Sequence, residues 1–267
     1  MLKLETKKLE LGFYPYTYVR ASVMKSLLFK KDDYQRMLKM GFNEIAKFLQ
    51  ESHYRNEINQ LATEYSGSDL LELALNRNLA DSFKKLIRIS HPNLRILINE
   101  YIKRKDIDDI KTILRGKLTG ANEKQILASI TSAGTLSYDF LISLLKKDSV
   151  EEILKSNRLV DFSLLKDGIK ELNEKRNLVA IENALDKYYY DRLMQFSKLL
   201  PKEGALFRSF LLKEVEVLNI LTLFRLKKAK FEKAAAKNFI IPTGQPRDSL
   251  IKSLLDVGDL EELSRTL

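Results

Sequence analysis

Asp106-Ile107-Asp108-Asp109-Ile110-Lys111-Thr112-Ile113-Leu114-Arg115-Gly116-Lys117 recurs 110 positions later, without a gap, as Glu216-Val217-Leu218-Asn219-Ile220-Leu221-Thr222-Leu223-Phe224-Arg225-Leu226-Lys227. An acid, an apolar residue, Ile, Thr, an apolar pair, Arg and Lys return in the same order. The offset persists downstream, where Ser143-Leu144-Leu145 falls on Ser253-Leu254-Leu255 and Glu151-Glu152-Ile153 on Glu261-Glu262-Leu263. A fixed period of this size marks duplicated domains. A duplicated scaffold without chemistry suits a mechanical or binding part better than an enzyme.

Hydrophobic spacing outside the repeat reads as helix almost throughout. The strongest segment runs from about Ala205 to Ala236, where Phe207, Phe210, Leu211, Val217, Leu218, Leu221 and Phe224 recur at intervals of three and four. Similar patterns cover 16–30, 32–50, 68–89, 93–104, 106–117, 137–147 and 174–199. Pro92 and Pro201 suit first helical turns, where a missing N–H costs nothing. Ser149-Val150-Glu151-Glu152 has the form of a capping box, and Asn122 and Ser137 of N-caps. Gly120, Gly134 and Gly244 mark breaks. Phe239-Ile240-Ile241 is too short to build a sheet alone, and ten Gly with five Pro supply few turns for an all-β protein. The expected class is all-α.

The period also sets the expected domains: residues 1–125, 126–235 and the start of a third at 236–267. Ile130–Leu136 corresponds to Ile240–Pro246, each opening a new unit. Met37–Ile45 echoes Leu144–Ile153 more weakly, with the offset slipping to 107–108. The third unit is expected to be incomplete, since a full copy of the same period would need roughly 80 further residues.

Composition narrows the function classes. The chain has 267 residues, 45% of them hydrophobic, which is ample for buried cores. Every stretch of membrane-spanning length is interrupted by charge, so a membrane span is not expected. The start, Met1-Leu2-Lys3-Leu4-Glu5-Thr6-Lys7-Lys8, lacks the apolar core of a signal peptide. Cysteine is absent, which removes disulfides and thiolate chemistry. The 46 Lys plus Arg exceed the 36 Asp plus Glu by +10, interspersed rather than clustered. Such a surplus suits an anionic partner or plain surface solvation.

No residues assemble into a catalytic signature. His53 and His91 are far apart, and zinc needs three or four converging ligands. Gly116-Lys117 lacks the preceding Gly and following hydroxyl of a phosphate loop. Asp32-Asp33, Asp108-Asp109, Glu151-Glu152 and Glu261-Glu262 read as helix-dipole partners near N-termini. Tyr188-Tyr189-Tyr190 would fan around a helix, which favours packing over a stacking platform for single-stranded nucleic acid. No catalytic, cofactor-binding or metal-ligating residue is therefore expected. The candidate partner contacts are Arg115 and Arg225, which close the repeated segment, with Lys117 and Lys227 beside them. A structural role for the two arginines, capping the carbonyls of a last turn, is the plainer reading.

Three features carry a resemblance. Tyr16-Thr17-Tyr18-Val19-Arg20-Ala21-Ser22-Val23-Met24-Lys25-Ser26-Leu27-Leu28, with Tyr34 after Asp32-Asp33, is similar to a family's opening stretch. Glu100-Tyr101-Ile102 followed by Asp106–Lys117 is similar to its "E-x-D-x-x-N-I-x-x-I-L-R-x-K" helix, with Asp109 where Asn is usual and Asn219 keeping it in the second copy. The family also has three similar helical domains about a pseudo-threefold axis. The chain thus resembles the C subunits of archaeal and bacterial A/V-type rotary ATPases, a family related to the d subunits of the eukaryotic V-ATPase. The resemblance implies a funnel-like, non-catalytic central-stalk part of an ATP synthase or ATPase. It implies a socket between the shaft subunits D and F and the membrane proteolipid ring, within ATP-driven or ATP-producing hydrogen-ion or other ion transport. The implied state is a monomer within that multisubunit complex, peripheral on the cytoplasmic face of the membrane, with no cofactor and no nucleic acid. The alternative reading is a basic helical-repeat module that binds nucleic acid.

Overall fold

The computed structural model describes residues 11–157, 159–228, 236–244, 247–257, 262 and 265. These form α-helices and short 3₁₀ turns with no strand among the described residues, so the all-α expectation holds. No described helix is long and apolar enough to cross a membrane. The chain divides into two compact units. One holds residues 12–162 with 174–178, and the other holds 163–173 with 179–267.

The first unit contains α1 (Pro15–Ser26), α2 (Lys31–Met37), α3 (Phe42–Gln50), α4 (Arg55–Leu61), α5 (Gly67–Ile89), α6 (Pro92–Thr119), α7 (Glu123–Ser129), α8 (Tyr138–Leu145) and α9 (Val150–Ser156). Helix α6 organises it. Pro92 opens the helix and the His91 ring accepts the Asn93 N–H as N-cap. Gly120, at φ +70°, closes it: the Ala121 N–H reaches back to the Gly116 carbonyl and the Gly120 N–H to that of Lys117, a Schellman motif. The periodicity suggests two helices, 93–104 and 106–117. They are one, because residues 103–108 contain no Gly or Pro and join the turns through Lys103–Glu100, Lys105–Asp108 and Lys111–Asp108 pairs.

Other boundaries follow local chemistry. Residues 32–50 split at Gly41, whose N–H donates to the Glu44 carboxylate at 2.8 Å and starts α3 afresh. Asn122, Ser137 and Ser149 cap α7, α8 and α9 as expected, but the box at Ser149 is not closed, because the Glu152 carboxylate accepts the Asp148 N–H at 3.3 Å instead of that of Ser149. Buried Ile102, Ile107, Ile110, Ile113 and Leu114 of α6 line the core, which α5, α7, α8 and α9 pack against. A second cluster joins Leu49, Ile58, Leu70, Leu71 and Ala74 of α3, α4 and α5. Each such side chain contributes roughly 1.5–3 kcal/mol by leaving water.

The second unit carries most of α10 (Lys166–Lys175) and all of α11 (Val179–Lys198), α12 (Ala205–Lys228) and α13 (Arg247–Asp256). The periodic stretch 174–199 is broken at Arg176, which takes a left-handed φ of +52° between α10 and α11. Pro201 precedes a 3₁₀ turn, Lys202–Gly204, that leads into α12. Leu223, Ala236, Ile251, Leu254 and Leu255 form the cluster that fastens α13 to α12. The Tyr triplet resolves as packing: Tyr189 and Tyr190 are buried edge to face, while Tyr188 accepts a hydrogen bond from Arg192 at 2.9 Å.

Candidate functional site

The polar centre of the first unit is built from the repeated segment. Asp106 and Asp109 lie one helical turn apart on α6, fully buried. Together they hold the loop 131–136. Asp109 accepts the Thr131 N–H at 2.8 Å, the Thr131 hydroxyl at 3.0 Å and the Ser132 N–H at 2.9 Å. Asp106 accepts the Thr135 N–H at 2.9 Å, its hydroxyl at 2.7 Å and the Leu136 N–H at 2.8 Å. Ser132 sits at φ +48°, a conformation that costs a non-glycine residue energy and is held by these bonds. Gly134 admits no side chain, since a Cβ there would lie 2.0 Å from Asp106 Oδ1.

Burial dominates the electrostatics of the pair. It pushes the Asp109 carboxyl up to about 6, against the hydrogen bonds from Thr131 and Ser132 and with the Asp106 charge adding to the rise. Burial raises Asp106 as well, while the Thr135 and Leu136 donors and Lys103 oppose it. This arrangement has the burial and raised carboxyls of an acid–base site, yet every oxygen is engaged with the loop. It is a clamp.

The second copy repeats the clamp in a changed form. The Asn219 side chain accepts the Ile241 N–H at 2.9 Å and donates to the Ile241 carbonyl at 2.9 Å. Asp109–Thr131 and Asn219–Ile241 thus share a separation of 22 residues, which gives the 110-residue repeat a physical basis. Glu216, aligned with Asp106, instead meets Lys213 at 3.2 Å. The loop after Ile241 is held from downstream, where Asp248 of α13 accepts the Thr243 and Gly244 N–H groups at 2.9 and 2.7 Å.

These contacts correct the reading of Asp108-Asp109 as helix-start acids. Both lie in the middle of α6; Asp109 is the clamp, and Asp108 pairs with Lys105 and Lys111. Asp32-Asp33 and Glu151-Glu152 do stand in first turns. Within Glu261-Glu262, residue 261 lies outside the described residues.

The candidate contact residues are placed as follows. Arg115 on α6 and Arg225 on α12 are both exposed, while Lys117 and Lys227 are half-buried. Lys227 donates to the carbonyls of Leu255 and Val257, where it caps α13. Two further arginines cap carbonyls in the same way. Arg95 closes the end of α5 through the Ser90 and Arg88 carbonyls, and Arg208 closes that of α11 through Ser197 and Leu200. Gly116 is needed for packing, its Cβ position lying 2.4 Å from Ile126. Among the described residues no group of three or more His, Asp or Glu converges as a metal site. His91 stacks on Tyr14, and His53 packs against Tyr54 and Phe29, where burial lowers its pKa.

What remains open to a partner is apolar surface. On α12, Leu206, Phe210, Val217 and Leu221 form a stripe over about 60° of arc on the 3.6-residue period, and each is 45% exposed or more. Around α1, Phe13, Tyr16, Tyr18, Val19, Val23 and Leu28 are exposed. Sequence reasoning missed both faces. The signal was an apolar pattern too wide for one buried stripe, which marks a helix with a second side to cover.

Residues 17–267 match the model of a family described as ATP synthase (C/AC39) subunit. The chain is 45% identical over 233 residues to the C subunit of the A-type ATP synthase of Methanosarcina acetivorans, covering 87% of this chain and 64% of that protein. It is 44% identical to that of Methanococcoides burtonii, covering 86% and 64%, and 33% identical to that of Archaeoglobus fulgidus, covering 90% and 72%. The chain spans less than two thirds of the length of the first two relatives.

Proposed function

The chain belongs to the ATP synthase (C/AC39) subunit family, and from that premise we propose that it is a non-catalytic central-stalk part, a socket that couples a rotary shaft to a membrane proteolipid ring. In this reading the shaft is made of subunits D and F, and the socket works as a monomer within the complex, peripheral on the cytoplasmic face. It passes torque during ATP-driven or ATP-producing ion transport. The observation that carries the reading is the clamp: the buried carboxylates that resemble an active site hold loops between packed helices instead. Close-packed interiors transmit strain rather than absorb it, which suits a part under torque. The exposed stripe of α12, flanked by Arg225, offers an apolar surface for such contacts. Arg115, Arg225, Lys117 and Lys227 are proposed to lie at or beside repeated contacts, with Lys227 acting through the end of α13. We read 1–125, 126–235 and 236–267 as successive copies of one domain, supported by the two clamps 110 residues apart.

Affinity capture from detergent-solubilised membranes tests the proposal. Co-purification of proteolipid or shaft subunits is expected, and recovery of the protein without either would overturn it.

A further inference from the structure

Helix α1 has two apolar stripes. One faces α5: Tyr14 stacks on His91 just beyond it, the Thr17 hydroxyl donates to the Ile89 carbonyl at 3.0 Å, and Ala21 and Met24 follow at helical spacing, half-buried. The other, Tyr16, Val19, Val23 and Leu27, falls within an arc of about 80° on the far side of the helix. Those four residues are 64, 58, 56 and 48% exposed. Phe13 and Leu28 extend the apolar surface at its two ends.

Charge around the stripe is one-sided. From Gly12 to Lys31 the chain carries Arg20, Lys25, Lys30 and Lys31 and no acid, where 36 acids in 267 residues would place two or three. The four cations are exposed; Arg20 borders the stripe and Lys30 and Lys31 follow its end, while Lys25 falls on the other side of the helix. Asp32 and Asp33 follow directly in the first turn of α2, where Asp33 accepts the Lys30 N–H at 2.8 Å, and Asp81 of α5 pairs with Lys84 at 3.7 Å. The stripe is also a ridge rather than a groove, because Tyr18, Ser22 and Ser26 beside it are exposed too. Two cavities of this unit lie against α4, α5 and α7 instead. A ridge has no walls to key a folded partner's side chains, whereas a fluid interface conforms to it. Aromatic rings favour the headgroup level of a bilayer, and flanking Lys and Arg favour its anionic phosphates.

We propose that the exposed face of α1 is a docking surface for an anionic lipid bilayer, with Tyr16, Val19, Val23 and Leu27 entering the headgroup boundary and Arg20 and Lys30 over lipid phosphates. The inference rests on the membrane-surface location in the reading above and not on the socket role. Co-sedimentation of the full 267-residue chain with phosphatidylcholine vesicles, with and without phosphatidylglycerol, tests it. Binding is expected to be at least about tenfold stronger with the anionic lipid, and weaker in high salt. Val19→Ser with Val23→Ser, and separately Arg20→Gln with Lys30→Gln, are each expected to reduce it at least about fivefold while leaving helicity intact, as exposed positions allow. Absence of vesicle binding, equal binding to neutral vesicles, or variants that bind as the parent does would each overturn the proposal. So would stoichiometric capture of an acidic protein at this face without vesicle binding. Proteolipid or shaft capture that persists while vesicle binding fails removes this inference alone.

Discussion

Asp109 and Asn219 occupy the same place in two copies, and one atom separates their chemistry. Burial holds the Asp109 carboxyl near pKa 6, above its ordinary 3.8. The folded chain therefore keeps a proton that the unfolded chain has released between about pH 4 and 6, and this group's contribution to stability falls as pH rises through that window. The shift corresponds to on the order of 3 kcal/mol lost by pH 7. Asp109→Asn, which imports the second copy's solution, is expected to flatten the pH dependence of urea unfolding between pH 4.5 and 7 by up to one proton; an unchanged slope would contradict this account. The paired glycines make a complementary case. Gly134 is required by the approach of Asp106, and Gly244 by its φ of +71° with open space around it. Gly134→Ala should cost on the order of 3 kcal/mol or more, against about 1 kcal/mol for Gly244→Ala, as read from thermal midpoints.

Helices α6 and α12 share a sequence pattern but differ in surroundings. Ile110 is fully buried among α6's neighbours, while its counterpart Ile220 only borders the α12–α13 cluster. Ile110→Ala should therefore cost about 3–4 kcal/mol and Ile220→Ala about 1–2 kcal/mol in denaturant unfolding. Equal costs would mean that burial does not distinguish the two copies. Much of this scale was legible beforehand. The caps at Asn122, Ser137 and Ser149, the start at Pro92 and the stop at Gly120 are local contests between a side chain and a few backbone groups, so the sequence shows them directly. The continuity of α6 through residue 105 was not legible, because an interruption in apolar spacing also occurs where charged residues pair along an unbroken helix.

For the whole molecule, net charge alone leaves nucleic acid open as a partner, yet part of that charge is engaged within the fold. Cations such as Arg95, Arg208 and Lys227 close helix ends, where backbone carbonyls engage them. A fluorescence titration with single- and double-stranded DNA at low salt is expected to show no binding; tight binding with a steep salt dependence would instead favour the nucleic-acid module. The sequence by itself determined the all-helical class, the 110-residue repeat and most helix ends, since these depend on periodicity and short-range chemistry, and its motifs carried the resemblance to the family. Only the tertiary structure decided that Asp106 and Asp109 clamp a loop more than 20 residues away, and that α1 and α12 each keep an apolar stripe uncovered. Both facts depend on which surfaces meet, and a one-dimensional pattern shows that a face is apolar without showing what, if anything, packs against it.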